Sequence, residues 1–270
     1  LIFINNGSCN SDSDYVKIDF VNPPFANFSP TNSLNVTTTT FCLGAATNFV
    51  DYSLQGFGAV SQWSYSFGDG NTSTQQNPVY TYAVPGTYSV SLVATSAVGC
   101  SDTVQRIIKV APIPQADFSD SLFCSGMFIY DHFRNSTTLA LPDTISQWYW
   151  DFGGAGASSA QSPSNIYTNA GNYQVTLIAT SSSGCTNSKV QLISIPERPH
   201  ASFYYNTTPG FNVGATVNFL DSSSYALNYS WVFGDGNAST EVNPTNVYYS
   251  NGTFYVTHVV SDNIGCSDTA

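Results

Sequence analysis

Apolar and polar residues alternate with a period of two over Tyr88-Ser89-Val90-Ser91-Leu92-Val93-Ala94, and again over Tyr173-Gln174-Val175-Thr176-Leu177-Ile178-Ala179. Successive side chains of a strand point to opposite faces, so each segment predicts a strand with one face in a core. Trp63-Ser64-Tyr65-Ser66-Phe67 alternates strictly, with three aromatics on one face. It runs into Gly68-Asp69-Gly70-Asn71, residue types that tolerate the positive φ of a tight hairpin turn. Nothing reads as a long helix. Short strands separated by Gly, Pro and Asn turns predict two-sheet sandwiches.

The pattern recurs in register. Phe67-Gly68-Asp69-Gly70, Phe152-Gly153-Gly154-Ala155 and Phe233-Gly234-Asp235-Gly236 each open a block. A proline follows (Pro78, Pro163, Pro244), then a Gly-x-aromatic (Gly86/Tyr88, Gly171/Tyr173, Gly252/Phe254), then a Gly-Cys (Cys100, Cys185, Cys266). From the Phe to the Cys the separation is 33 residues in every block. Insertions are confined to the front halves, as expected of variable loops on a fixed scaffold. One folded unit used in series points to architecture rather than to a single catalytic centre. The expected organisation is a C-terminal remnant of an upstream repeat at 1–21, then repeat 1 at 22–111, repeat 2 at 112–196 and repeat 3 at 197–270. Leu1 to Cys9 parallels Leu92 to Cys100, so the sequence is expected to begin inside a longer protein. Repeat 3 is expected to lack its last strand within the sequence. The links are short and proline-rich, as in Ala111-Pro112-Ile113-Pro114-Gln115, and proline favours extended chain. Modules stacked end to end would form an elongated rod of about 100 Å.

Composition narrows the setting. Only 9% of the 270 residues are charged, against about 25% in an ordinary soluble domain. Surface polarity must come from Ser, Thr, Asn and Gln, a common look for extracellular β-proteins. The net charge of −11, with six basic residues, makes nucleic acid and anionic membrane surfaces poor partners. No apolar run approaches the roughly 18 residues of a membrane span, so no membrane insertion is expected.

The six cysteines have no C-x-x-C spacing and do not suggest zinc. They follow the repeat instead. Cys42 and Cys124 sit early in repeats 1 and 2, and Cys100 and Cys185 sit late. Bridges Cys42–Cys100 and Cys124–Cys185 are therefore expected, each within one repeat. Asn212 stands where Cys42 stands, so Cys266 is expected to be unpaired, and Cys9 to have its partner upstream of Leu1. Such bridges imply an oxidising compartment. The other reading is reduced cysteines packed as small hydrophobes.

Trp-x-Phe-Gly-Asp-Gly, followed by Asn-Pro, Gly-x-Tyr, an alternating strand and Gly-Cys, resembles the PKD domain family. It stands here as Tyr65-Ser66-Phe67-Gly68-Asp69-Gly70, Trp150-Asp151-Phe152-Gly153-Gly154 and Trp231-Val232-Phe233-Gly234-Asp235-Gly236. Repeat 2 departs at Gly154, and repeat 1 has Tyr65 for the usual Trp. The resemblance implies an all-β chain of tandem immunoglobulin-like sandwiches, serving as spacers or binding arms of secreted, cell-surface proteins. The cysteine-containing tandem form is similar to long repetitive adhesins of Bacteroidetes, including gliding-motility adhesins exported by the type IX route. Asp102-Thr103-Val104, Asp120-Ser121-Leu122, Asp143-Thr144-Ile145 and Asp268-Thr269-Ala270 resemble that phylum's O-glycosylation motif, which makes Thr103, Ser121, Thr144 and Thr269 candidate acceptors.

Chemistry is otherwise sparse. Asp69 and Asp235 are weak candidates for Ca²⁺, which needs six or more oxygens. No second acid clusters beside either, and a turn role is the expectation. Tyr204-Tyr205 and Tyr248-Tyr249 could stack on sugars, but alternation would turn one of each pair inward as packing. His132, His200 and His258 fall at unrelated repeat positions, with no triad or metal spacing. No catalytic residue and no cofactor is expected. The expected role is a non-catalytic stalk of a large adhesin, with cores around Trp63, Trp150 and Trp231 carrying load. Its partners would be neighbouring repeats, surface glycans or other cell-surface proteins. The alternative is a carbohydrate-binding accessory module of a secreted hydrolase.

Overall fold

The computed structural model describes residues 21–208 and 212–270. The expectations for 1–20, including Cys9, lie outside the described residues. The described regular structure consists of strands. Repeat 1 contains β1 (Phe28–Thr31), β2 (Thr40–Cys42), β3 (Thr47–Asp51), β4 (Val60–Ser66), β5 (Thr72–Ser73), β6 (Val79–Tyr80), β7 (Gly86–Ser96) and β8 (Ser101–Ala111). They form two sheets, ordered β1-β3-β6 and β2-β8-β7-β4-β5. All pairings are antiparallel except β2 with β8, where Cys42 lies opposite Ala111. Phe28 and Phe49 from the first sheet meet Tyr65, Val90, Leu92, Ile108 and Val110 from the second in one core. The alternation in β7 is read out directly: Val90, Leu92 and Ala94 are wholly buried, with less buried neighbours between them.

Repeat 2 contains β9 (Phe118–Ser125), β10 (Phe128–Asn135), β11 (Ile145–Asp151), β12 (Ala157–Ser158), β13 (Ser164–Tyr167), β14 (Gly171–Ser181) and β15 (Thr186–Ile195). Its sheets run β13-β10-β9 and β12-β11-β14-β15. Repeat 3 contains β16 (Phe203–Thr208), β17 (Thr216–Asp221), β18 (Asn228–Val232), β19 (Ala238–Ser239), β20 (Thr245–Val247), β21 (Thr257–Ser261) and β22 (Ser267–Thr269). Its sheets run β16-β17-β20 and β19-β18-β21-β22. The order of the sheets is the same as in repeat 2. The buried core of repeat 3 is built from Val217, Phe219, Trp231 and Phe233. Among the described residues, those up to Pro112 form one compact unit and those from Ile113 onward another.

One core residue differs from expectation. Trp63 is only half-buried, and its indole Nε1 donates to Asp51 Oδ2 at 2.8 Å. The wholly buried aromatic is Tyr65, at the place of Trp150 and Trp231. Position relative to the Phe-Gly turn decides burial, because the register with β7 fixes which face each residue takes.

Candidate functional site

The repeated Phe-Gly turn joins β4 to β5, β11 to β12 and β18 to β19. Its Phe is buried in all three copies. The following glycine has φ of +84, +70 and +80° at Gly68, Gly153 and Gly234. A Cβ there would meet backbone atoms of Ser89, Gln174 and Tyr255 at 2.8 Å. The turn packs directly on the neighbouring strand, so both space and φ require glycine. Asp69 ties the turn shut. Its Oδ1 accepts from the Asn71 backbone N–H at 3.1 Å, and its Oδ2 from the Tyr80 hydroxyl at 2.6 Å and the Asn71 amide at 3.2 Å. Asp235 does the same with the Asn237 backbone at 3.0 Å, Asn246 Nδ2 at 2.8 Å and Asn237 Nδ2 at 3.0 Å. For both carboxyls desolvation, the largest single influence, pushes the pKa up, but the hydrogen bonds together outweigh it and hold them below the ordinary value. Repeat 2 has Gly154 at this place, and there Asp151 Oδ1 accepts from Gly153 N–H at 2.9 Å instead. No cluster of three or more His, Cys, Asp or Glu placed to hold a metal occurs among the described residues.

Other repeated residues fasten the sandwich. The carbonyls of Pro78, Pro163 and Pro244 accept from Phe49, Phe133 and Phe219 N–H, each at 2.9 Å. The indoles of Trp150 and Trp231 donate to the carbonyls of Ala160 and Glu241 at 2.9 Å. The hydroxyls of Tyr82 and Tyr248 donate to the carbonyls of Phe67 and Phe233 at 2.9 and 3.0 Å.

The cysteines pair differently from the expectation. Cys124 bonds Cys266, with Cα atoms 4.9 Å apart, and so joins repeat 2 to repeat 3. Cys100 is free, while Cys42 and Cys185 are disulfide-bonded. The expected bridges Cys42–Cys100 and Cys124–Cys185 are thus overturned, as is the expectation of an unpaired Cys266. The reason lies in strand length. Cys42 sits opposite Ala111 at the far end of β8, whereas Cys100 precedes its first residue. An eleven-residue strand separates them by roughly 33 Å, and a disulfide requires Cα atoms within about 7 Å. In repeat 2, Cys124 lies opposite Ile129, itself opposite Tyr167, at the Gly171–Ile195 end of β14 and β15; Cys185 lies at the other end.

Around the Cys124–Cys266 bridge the modules interlock. Cys124 N–H donates to the Ile264 carbonyl at 2.9 Å. Ile264 and the wholly buried Cys266 pack into the core of repeat 2. The Arg198 guanidinium donates to the carbonyls of Met127 and Gly126.

A family model described as "PKD domain" matches residues 27–112, 109–195 and 196–270. The chain belongs to the PKD domain family. A stretch of it is 42% identical over 62 residues to the pre-pro-metalloprotease PrtV of Vibrio cholerae, covering 22% of this chain and 7% of that protein. Another match is 51% identical over 62 residues to collagenase ColA of Bacillus cereus, covering 23% of the chain and 6% of the collagenase. The PKD chain therefore spans less than a tenth of the length of these relatives. Among solved structures, the PKD1 domain of the Vibrio cholerae metalloprotease PrtV is 32% identical, covering 33% of this chain and 96% of that domain, with a TM-score of 0.28.

The remaining candidates sit on this PKD framework as follows. Thr103, Ser121, Thr144 and Thr269 are all exposed. The acids beside three of them have structural work. Asp102 and Asp268 accept the Ala26 and Ala201 N–H groups at 2.9 and 2.8 Å, fixing the entry of each PKD module. Asp120 accepts Gln191 Nε2 at 2.7 Å. Tyr204 and Tyr205 are both more than half exposed, so neither turns fully inward as alternation suggests, although Tyr205 touches Phe219. Tyr248 is half-buried and Tyr249 is exposed. Tyr205, Tyr248 and Phe254 line an open cleft of about 450 Å³ in repeat 3.

Two buried titratable groups have little signature in the sequence. Asp131 is wholly buried and neither carboxylate oxygen has a side-chain hydrogen-bond partner. Desolvation, with Asp120 adding to it, outweighs the backbone hydrogen bond of Ser121 and pushes its pKa up to about 7. His258 is wholly buried and stacked on Trp231 at 3.7 Å. Burial pulls its pKa down, only partly offset by Asp221. The only sequence signal is an acid and a histidine on otherwise apolar-alternating strand faces.

Proposed function

We infer that this chain is a non-catalytic spacer segment of a secreted or cell-surface protein, in which PKD modules in series hold a distal domain away from the anchor. One observation carries the reading. The residues repeated through the chain are spent on closing turns, fastening strands and joining one module to the next through Cys124–Cys266. A disulfide-bonded, charge-poor β-chain suits an oxidising extracellular setting. On the resemblance of its cysteine-bearing tandem repeats, we place the parent among large surface adhesins, of the Bacteroidetes gliding type exported by the type IX route. Surface glycans are the partners this suggests, with Thr103, Ser121, Thr144 and Thr269 as candidate O-glycan acceptors.

The test is a module swap in the parent protein. Replacing residues 22–270 by three unrelated immunoglobulin-like modules of equal length should leave surface display and distal binding unchanged. Loss of binding after the swap would place the contacts in this segment. The second reading is glycan binding, for which exposed aromatics such as Tyr204, Tyr205 and Tyr249 are the observation. A glycan array of the chain, with Tyr205→Ala and Tyr248→Ala as controls, decides it: binding abolished by those changes supports an accessory module, and no binding supports the spacer.

A further inference from the structure

The turn that receives the Cys124 hairpin in repeat 3 has a counterpart in repeat 1. In repeat 3, Asp262 N–H donates to the Cys266 carbonyl at 3.0 Å and Cys266 N–H to Asp262 Oδ1 at 2.8 Å. In repeat 1, Ser96 N–H donates to the Cys100 carbonyl at 2.8 Å and Cys100 N–H to Ser96 Oγ at 3.2 Å. Gly99 and Gly265 share a φ of +88°. The aspartates two residues on, Asp102 and Asp268, hold the same entry backbone. The two turns present a cysteine and the residue two before it in the same way.

They differ in occupancy. In repeat 3, Ile264 packs into the preceding module, its carbonyl takes the Cys124 N–H, and Cys266 is 1% exposed. In repeat 1, Cys100 is a free, half-exposed thiol and Val98 is 53% exposed. A second observation concerns the apolar surface beside it. The bridge at the module entry is His200–Ser224 in repeat 3 and Gln115–Thr138 in repeat 2, but Phe25–Leu54 in repeat 1. Phe25, Leu54 and Phe57 are exposed, and the adjoining Gly58 lies against Val98. Polar pairs at one end of repeats 2 and 3 are thus replaced by an apolar patch next to the unbridged cysteine.

We propose that the Ser96–Cys100 turn is a socket for the cysteine-bearing hairpin of the PKD module that precedes repeat 1. Cys100 takes the place of Cys266 and the Val98 carbonyl that of Ile264, and Val98, Phe25, Leu54 and Phe57 are covered. The occupant is argued from the Cys124–Cys266 bridge, which runs from the early strand of a module to the late turn of the next. It is argued also from residues 1–21, whose sequence repeats the closing half of a module. Repeat 1 has Pro23 where repeat 3 has Arg198, so apolar burial replaces the arginine clamp. In closing the bridge, two thiols give up two protons and two electrons to a disulfide oxidant, which leaves as a dithiol. The inference holds whether the parent is an adhesin or a hydrolase.

The experiment is disulfide mapping of the parent protein, secreted under oxidising conditions, with free thiols alkylated before non-reducing digestion. The expected result is a Cys100 peptide joined to the early-strand cysteine of the preceding module. In Cys100→Ser that cross-linked peptide disappears while the Cys124–Cys266 peptide persists. Recovery of Cys100 alkylated, or joined to any other cysteine, overturns the proposal. So does a preceding module with no cysteine in that hairpin.

Discussion

Gly68, Gly153 and Gly234 stand where the backbone of the neighbouring strand leaves no room for a Cβ, and at a φ that L-residues avoid. Gly68→Ala should therefore cost about 2 kcal/mol or more, whereas Gly70→Ala, with open space around its Cβ, should cost about 1 kcal/mol. Denaturant titration of the two variants checks the order. The turn itself is legible in the sequence, because Gly-Asp-Gly-Asn carries turn chemistry in its residue types. What demands the first glycine is not, since Ser89 approaches it from a strand about twenty residues away in sequence. The buried ionisable groups are equally hidden, because desolvation is set by what packs across the sheets. They give opposite pH dependences. Asp131 has a raised folded pKa, so its contribution is fully present below the unfolded value near 4 and lost as pH rises towards 7. Val217 holds the corresponding place in repeat 3, where it is buried. Asp131→Val should raise the stability of repeat 2 at pH 8 by up to about 4 kcal/mol and have much less effect at pH 3.5. His258 has a lowered folded pKa, so its contribution is present above the ordinary histidine value and lost as pH falls below it. Melting monitored in repeat 3 should drop between pH 7 and 5, and His258→Phe should flatten that drop.

The strands with strict alternation, β4, β7 and β14, are legible in the residue pattern alone, because a half-buried strand writes its two faces into the sequence. Cysteine pairing is not legible in the same way. Repeat position says which cysteines are equivalent, but not that β8 carries the two ends of a module some ten residues apart along a straight strand. Once the strand length is known, pairing within a repeat is excluded and the next module becomes the natural partner. Trp63 shows the same gap at smaller scale: aromatic identity suggests a core residue, whereas register with β7 gives that place to Tyr65. The bridge between modules makes repeat 3 dependent on repeat 2. Cys266→Ser should lower the stability of repeats 2 and 3 by on the order of 4 kcal/mol. Calorimetry of wild type and variant reads this loss as a shift of the unfolding profile to lower temperature.

At the scale of the whole molecule, the proposed spacer role requires PKD modules to act as a mechanical series, with covalent staples between modules limiting how far the series extends. Repetition makes the series legible from sequence, down to the spacing that recurs in each block. The direction of the staples is not, although it decides what tension can do. With the Cys124–Cys266 bridge closed, the chain between the two cysteines, which are 142 positions apart, cannot be drawn out. Pulling single molecules of the full chain by their ends, first oxidised and then with a reductant present, tests this most directly. Reduction should add at least on the order of 500 Å of contour length released on unfolding. Equal released lengths in the two conditions would contradict it.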